Sequence, residues 1–237
     1  MKANLDPTQA AKQKAALEAV KHVKDGFIAG LGSGSTAAFA IEAIGERIKR
    51  EKLRVMGIPT SYQAFLLAVE CGIPITTLDE HPQIDVTIDG ADQITPELFL
   101  IKGMGAALAR EKIVAAASKI NIIIADEKKK VKVLGENNQS VPIEVLPFAI
   151  SLAKRKIINA GGKPVLREGK GKLGPVITDN GNAILDSYFG EIAKPAELAV
   201  KLKMIPGVVE TGFFVGLTDI AYIGTVSAVA RIDKIKF

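Results

Sequence analysis

Three short stretches carry residues whose types and spacing suit chemistry. In "VTIDGADQI" (86–94), Asp89 and Asp92 are separated only by Gly90 and Ala91 and follow the β-branched run Val86, Thr87, Ile88. Two carboxylates where a buried strand ends either form a polar turn, for which Asp-Gly is a common signal, or hold something cationic or protic. In "GLGSGSTA" (30–37), glycines let the backbone approach a ligand closely, and Ser33, Ser35 and Thr36 flank Gly34 with hydroxyl donors. Where such a loop opens a helix, backbone N–H groups and the helix dipole together favour an anion. A plain strand-to-helix turn would use the same glycines. The third stretch, "KGMGAALAREKIVAAAS" (102–118), begins with Lys102, Gly103, Met104 and Gly105 and concentrates its later charges in Arg110, Glu111 and Lys112. Three consecutive residues fan across about 200° of a helix. They do not share one narrow solvent face, so at least one points into a cleft or across an ion pair.

Two familiar phosphate loops do not fit. The P-loop needs a lysine before its Ser/Thr, and none is present. The dinucleotide fingerprint is formally met by Gly32, Gly34 and Ala37. It requires an acidic residue about 20 positions on to hold a ribose hydroxyl, but that region reads "MGIPTSYQ". A small phosphate ester in a serine- and threonine-lined cradle fits better than a dinucleotide.

The elements that position these residues alternate. "LDPTQAAKQKAALEAVKHVKDG" reads as a helix capped by Asp6, with Pro7 at its first position and Gly26 at its end. Strands are expected at "FIAGLG", "LRVMGI", "IDVTIDG", "LFLIK" and "NIIIAD". Between them, helices are expected at "STAAFAIEAIGERIKRE", "SYQAFLLAVECG" and "GAALAREKIVAAAS", the last apolar almost all round. That alternation implies a parallel sheet covered on both faces. Beyond about 130 the texture becomes strand-rich. Asn180-Gly181 marks a tight turn, "PAELAVKLKMIPG" a helix, and "DIAYIGTVSAVARI" a return to the main sheet. The expected division is a catalytic α/β domain of 1–130 and 207–237 and a smaller α+β subdomain of 131–206.

Composition bounds the function class. Hydrophobic residues make up 48% of the 237 residues, and mean hydropathy is positive, so the chain buries a core. No apolar run reaches the ~18 residues of a membrane span, and the N-terminal sequence lacks a signal peptide's apolar core. The lone Cys71 forms no intramolecular disulfide, so a soluble cytoplasmic protein is expected. The net charge of +5 hints weakly at an anionic partner; runs such as Lys128–Lys130 read first as a solvated face. Without Trp and with 5% aromatics, stacking platforms for nucleic acid are few. With His22 and His81 the only histidines, no zinc site is expected.

"GLGSGSTA", "TSYQA", "DGADQI", "KGMGAALAREKI" and "ADEKK" occur in the order and spacing of type A ribose-5-phosphate isomerases, and "VITDNGNAILD" and "IPGVVETGFF" match later blocks. The chain resembles that family over nearly its whole length. The resemblance implies an open, mostly parallel Rossmann-like sheet with helices on both faces, plus a ferredoxin-like α+β subdomain. It implies an aldose–ketose isomerase acting on ribose 5-phosphate without cofactor or metal, as a homodimer or homotetramer. Ser33, Gly34, Ser35 and Thr36 resemble the family's substrate-binding hydroxyl loop. Asp89, Gly90, Ala91 and Asp92 resemble its paired-aspartate loop, and Lys102, Gly103, Met104 and Gly105 its lysine-glycine loop. Glu111 falls on the catalytic base and Lys129 on a substrate-contacting lysine; Asp89 and Lys102 join the catalytic set. The chain departs from the family where Met104 and Ala106 replace glycines. A methionine at 104 would be strained if that residue needed positive φ.

Moving a proton between neighbouring sugar carbons needs a base that gives the proton back, which a carboxylate such as Glu111 does. Charge grows on the carbonyl oxygen, where Lys102 is the natural stabiliser. Asp89 and Asp92 suit sugar hydroxyls, the orientation of Lys102 and opening of the furanose ring. Two other classes compete. A related sugar-phosphate enzyme, such as an amino-sugar phosphate deaminase or a CoA transferase-like protein, would share the phosphate loop but need other catalytic groups. A non-catalytic sugar-phosphate sensor would carry an extra helix-turn-helix and have no use for both Lys102 and Glu111.

Overall fold

A computed structural model describes residues 6–171 and 173–234. Of the expected domain of 1–130 and 207–237, residues 1–5 and 235–237 lie outside the described residues. The chain opens with α1 (Pro7–Val20), β1 (Ile28–Leu31), α2 (Gly34–Glu51), β2 (Met56–Pro59) and α3 (Tyr62–Glu70). β3 (Val86–Gly90), β4 (Gln93–Ile94), β5 (Leu100–Ile101), α4 (Leu108–Ala116) and β6 (Asn121–Asp126) follow. Then come β7 (Val141–Val145), α5 (Ile150–Asn159), β8 (Lys163–Leu166), β9 (Ala183–Tyr188) and α6 (Pro195–Lys203). The last strands are β10 (Val208–Thr211), β11 (Phe213–Phe214), β12 (Ile220–Gly224) and β13 (Val229–Asp233). Two compact units result: residues 1–91, 110–130 and 217–237, and residues 92–109 and 131–216. Relative to the expected 131–206, the second unit also takes in 92–109 and 207–216.

The first unit is built on a six-stranded sheet in the order β13-β12-β6-β3-β1-β2. All neighbours run parallel except β13, an antiparallel edge strand. The five parallel strands are short and mostly buried on both faces, hence their content of small and aliphatic residues, whereas the edge strand β13 is largely exposed. Ala29, Leu31, Val86, Ile88, Ile122 and Ile124 pack with alanines and isoleucines of α1, α2 and α3. Ile28, Ile58 and Ile84, turned the other way, pack with Val114 of α4 and with Leu78. A parallel bridge at Ile75 beside Gly57 extends the β2 edge before the chain returns to β3.

The second unit has the order β7-α5-β8-β9-α6-β10 along the chain and an antiparallel sheet β10-β7-β9-β8 in space. That is the split βαβ arrangement of a ferredoxin-like fold. Ala153 and Ile157 of α5 and Leu202 of α6 bury against Val141, Ile143, Val145, Ala183 and Leu185. A small antiparallel sheet, β11-β5-β4, carries the chain on either side of Lys102.

Local chemistry explains most element ends. Asp6 caps α1 by accepting the amides of Thr8 and Gln9 at 2.8 and 3.0 Å. The helix stops at Val20, earlier than the expected Gly26, because His22 and Val23 donate to Ala19 and Val20 and tighten the last turn. Gly26, at φ +80°, serves the turn into β1 instead. β2 starts at Met56 rather than Leu53, and β4, only two residues long, has no pattern that announces it. α4 is not buried nearly all round: Ile113 is 55% exposed and Ala116 is also exposed. Asn180-Gly181 does turn tightly, with Gly181 N–H donating to Thr178 O at 2.8 Å. β12 and β13 do rejoin the first sheet. Among the described residues no helix is long and apolar enough to cross a membrane.

Candidate active site

Parallel strands deliver their carboxyl ends to one edge of a sheet, and ligands bind where the strand order reverses. In the first unit β1 leads outward to β2, whereas β3 and β6 lie on its other side, so the reversal falls between β1 and β3. The glycine loop and Asp89 emerge there. Gly32 N–H donates to Ile88 O at 3.0 Å, and Ser33 N–H donates to Asp89 Oδ1 at 3.1 Å. Asp89, 2% exposed, also accepts the Gly90 amide at 2.7 Å. A Cβ on Gly90 would sit 3.9 Å from Thr36 Cβ, so the aspartate loop and the hydroxyl loop are neighbours.

Ser33 precedes α2 without capping it through its side chain. Its hydroxyl lies 2.7 Å from Thr60 Oγ1 and 2.6 Å from Ser61 Oγ, at the end of β2. Gln63 Oε1 takes the Gly34 amide at 3.0 Å, with Gly34 at φ +89°. The loop is thereby braced by side chains from the next strand end while the start of an 18-residue helix faces outward with its dipole positive. Lys12 Nζ donates to Ser35 Oγ at 3.0 Å, and Lys128 Nζ to Thr8 Oγ1 at 3.1 Å. Thr8 and Lys12, four apart on α1, lie on one helix face and bring cationic and hydroxyl groups to the loops of the sheet edge. Lys129, half-buried, ends a 3₁₀ turn (Glu127–Lys129) in which Asp126 Oδ1 accepts the Lys128 amide at 3.1 Å. Ala91 closes the first unit's segment after β3. Of the three consecutive charges on α4, Glu111 is the buried one, 5% exposed in the helix's first turn, while Arg110 and Lys112 are half-buried.

In the second unit Lys102 is 3% exposed, its Nζ 5.3 Å from the centre of the Phe214 ring. Its amide donates to Gly212 O at 2.9 Å. Gly212 admits no side chain, because a Cβ there would lie 2.4 Å from Lys102 O. Asp92 reaches the lysine-glycine loop by accepting the Met104 amide at 3.0 Å. The left-handed positions of this loop are Gly103, at φ +104°, and Ala106, at φ +60°. Met104 is in neither, so the methionine carries no backbone strain; the substitution that meets positive φ is the alanine. Among the described residues no group of three or more His, Cys, Asp or Glu side chains is arranged to hold a metal ion.

Lys12, Thr60, Ser61, Gln63 and Lys128 also stand at this edge, beyond the residues expected there from sequence. The run "TSYQA" at the end of a strand was a usable signal for the middle three. For the lysines, only the Thr8/Lys12 spacing hinted at a shared face, and nothing local says which loop that face meets.

The ribose 5-phosphate isomerase A (phosphoriboisomerase A) family matches residues 56–228. Ribose-5-phosphate isomerase A of Methanosarcina acetivorans is 48% identical over 221 residues, 93% of each chain. The structure of ribose 5-phosphate isomerase A from Methanocaldococcus jannaschii has a TM-score of 0.91 at 46% identity, covering 94% of this chain and 98% of that one. A D-ribose-5-phosphate isomerase in complex with phospho-erythronic acid reaches 0.93 at 44% identity, covering 95% and 99%. With the match running through both units and nearly half of all residues identical, the chain belongs to the ribose 5-phosphate isomerase A family.

Proposed function

We propose that this chain interconverts D-ribose 5-phosphate and D-ribulose 5-phosphate by moving one proton through an enediolate. The carrying observation is the Ser33–Asp89 hydrogen bond at the reversal of strand order, which sets a hydroxyl- and amide-rich helix start beside a buried carboxylate. A phosphate ester of a polyhydroxy chain has the groups such a place accepts: an anion for the helix start and lysines, hydroxyls for the carboxylate.

Ser33, Gly34, Ser35 and Thr36 receive the phosphate, with Lys12, Lys128 and Lys129 supplying positive charge. Asp89, Gly90, Ala91 and Asp92 bind the sugar hydroxyls, and Asp89 assists opening of the ring. Glu111 takes the proton from C2 of the open-chain aldose; the electron pair moves into a C1–C2 double bond, and charge develops on O1. Lys102 stabilises that charge, aided by N–H groups of the loop Gly103, Met104, Gly105. A proton passes from O2 to O1, Glu111 returns its proton to C1, and the ketose forms with atoms and charge conserved. The phospho-erythronic acid complex of a relative supports this reading, because an acid's carboxylate carries the charge that an enediolate carries.

No cofactor enters these steps. The enzyme works in the cytoplasm as a homodimer or homotetramer, with neither nucleic acid nor membrane as partner. The test is formation of ribulose 5-phosphate from ribose 5-phosphate with a chelator present and no nucleotide added. Turnover under those conditions supports the proposal, and its absence in folded protein removes it.

A further inference from the structure

The turn after Lys102 is held on both sides of its peptide planes. Gly103 O accepts the Ala106 amide at 3.0 Å, closing a four-residue turn, and also accepts Arg167 Nη1 at 3.0 Å. The same nitrogen donates to Met104 O at 2.9 Å. Across the plane, Met104 N–H donates to Asp92 Oδ2 at 3.0 Å. In a trans peptide the carbonyl and the amide point in opposite directions. The plane joining Gly103 to Met104 is therefore pinned at both ends, by Arg167 and by Asp92. The next plane has its carbonyl on Arg167, which turns the Gly105 N–H away from the guanidinium. Gly105 is exposed, and a Cβ there would meet nothing within 4 Å, so no neighbouring atom crowds the side of the turn on which a side chain would stand.

The guanidinium is itself fixed. Its Nε donates to Asp186 Oδ2 at 2.7 Å and its Nη2 to Asp186 Oδ1, with the side chains only 12% and 14% exposed. Asp186 also accepts from Ser140 Oγ at 3.3 Å. The β8–β9 pairing and the Arg167 amide bond to Ile184 O hold the backbone from which the arginine reaches. This is a planar fork filled on one side by a carboxylate and on the other by two carbonyls. A lysine ammonium does not reproduce it, because its donors are not held in one plane.

We propose that Arg167, oriented by Asp186, is the positioning residue that sets the Gly103–Ala106 turn and so aims the Gly105 N–H at the substrate's developing oxyanion beside Lys102. The proposal rests on the isomerase reading above. Arg167 touches no reacting atom; it acts through the turn. Loss of aim of a group that works in the transition state lowers kcat and leaves KM nearly unchanged, and small misplacements cost up to about 10²-fold.

The test compares wild type, Arg167→Lys, Arg167→Ala and Asp186→Asn in the ribose 5-phosphate assay. Expected is a kcat loss of at least about tenfold in Arg167→Lys with KM within about threefold. In Arg167→Ala, millimolar guanidinium chloride is expected to restore kcat several-fold where equal sodium chloride does not. An Arg167→Lys enzyme at parental kcat overturns the proposal, as does folded Arg167→Ala whose loss is indifferent to guanidinium. If Arg167→Ala does not fold, Arg167→Lys and Asp186→Asn decide, since both keep side-chain volume. A folded wild type without isomerase activity overturns the isomerase reading itself, a different result from active wild type with unaffected variants.

Discussion

Gly32 and Asp89 stand so close that a Cβ on the glycine would lie 2.2 Å from Asp89 Oδ1 and 2.5 Å from its Cα. The approach is what brings the following amide, Ser33 N–H, within 3.1 Å of the carboxylate. A side chain at 32 has to push the end of β3 away from the end of β1, because the colliding atoms include backbone. Gly32→Ala is expected to destabilise the fold by about 1–3 kcal/mol, the usual cost of overpacking. It is also expected to lower kcat/KM at least about tenfold, since the two loops lose their register. Denaturant midpoints and steady-state kinetics on the same preparation check both; a variant equal to its parent in the two would show that neither stability nor turnover depends on the close contact.

Glu111 is buried on a helix whose neighbouring charges, Arg110 and Lys112, are half-buried. Glu111→Gln keeps size and hydrogen-bonding capacity but holds no transferable proton. Turnover is expected to fall at least about 10²-fold, as for a positioned general base, with the fold intact by circular dichroism. Exchange of the C2 proton with solvent deuterium should fall in parallel. Turnover within a few-fold of the parent would take the role away from Glu111.

Ala106 holds φ at +60°. An L-residue in the left-handed region costs roughly 1–2 kcal/mol, while glycine costs roughly 0.5–1 kcal/mol in chain entropy. Ala106→Gly is therefore expected to stabilise the protein by about 0.5–1 kcal/mol net. Urea denaturation of the pair reads this directly, and a destabilised variant would contradict the strain.

How much of this was legible in the sequence depended on how local each signal is. β6 was placed to the residue because "NIIIAD" is continuous, buried and bounded by polar turns. Taken singly, the glycine loop and Asp89 also fit ordinary turns; the parallel pairing of the strands that end in them sets the two side by side. Gly26 resembles a helix end and extends the expected α1 past Val20, whereas the helix closes through i→i+3 bonds that leave no mark in residue types. Strain at Met104 was expected only if that residue needed positive φ, and the backbone puts positive φ at 103 and 106 instead. Arg167 was beyond reach: its partners are 63 and 64 residues away on the loop and 19 away on β9, and a single arginine in "KPVLREG" carries no sign of them.

The one histidine packed beneath the C-terminal strands gives a pH dependence with a definite sign. His22 Nε2 lies 2.9 Å from the Tyr222 hydroxyl. Burial pushes its pKa below the ordinary imidazole value of 6.5, Arg231 and Lys24 push the same way, and Asp233 opposes them. The folded protein thus binds a proton at His22 less readily than the unfolded chain does. The unfolded state gains protons first as pH drops below about 6.5. Stability associated with neutral His22 is complete above that value and is lost progressively as pH falls toward the lowered folded value. Urea midpoints measured between pH 8 and 5.5 should decline more in the parent than in His22→Gln, which keeps a hydrogen-bonding group for Tyr222 but does not titrate. Parallel declines in the two proteins, or a steeper one in the variant, would show that His22 is not the group responsible.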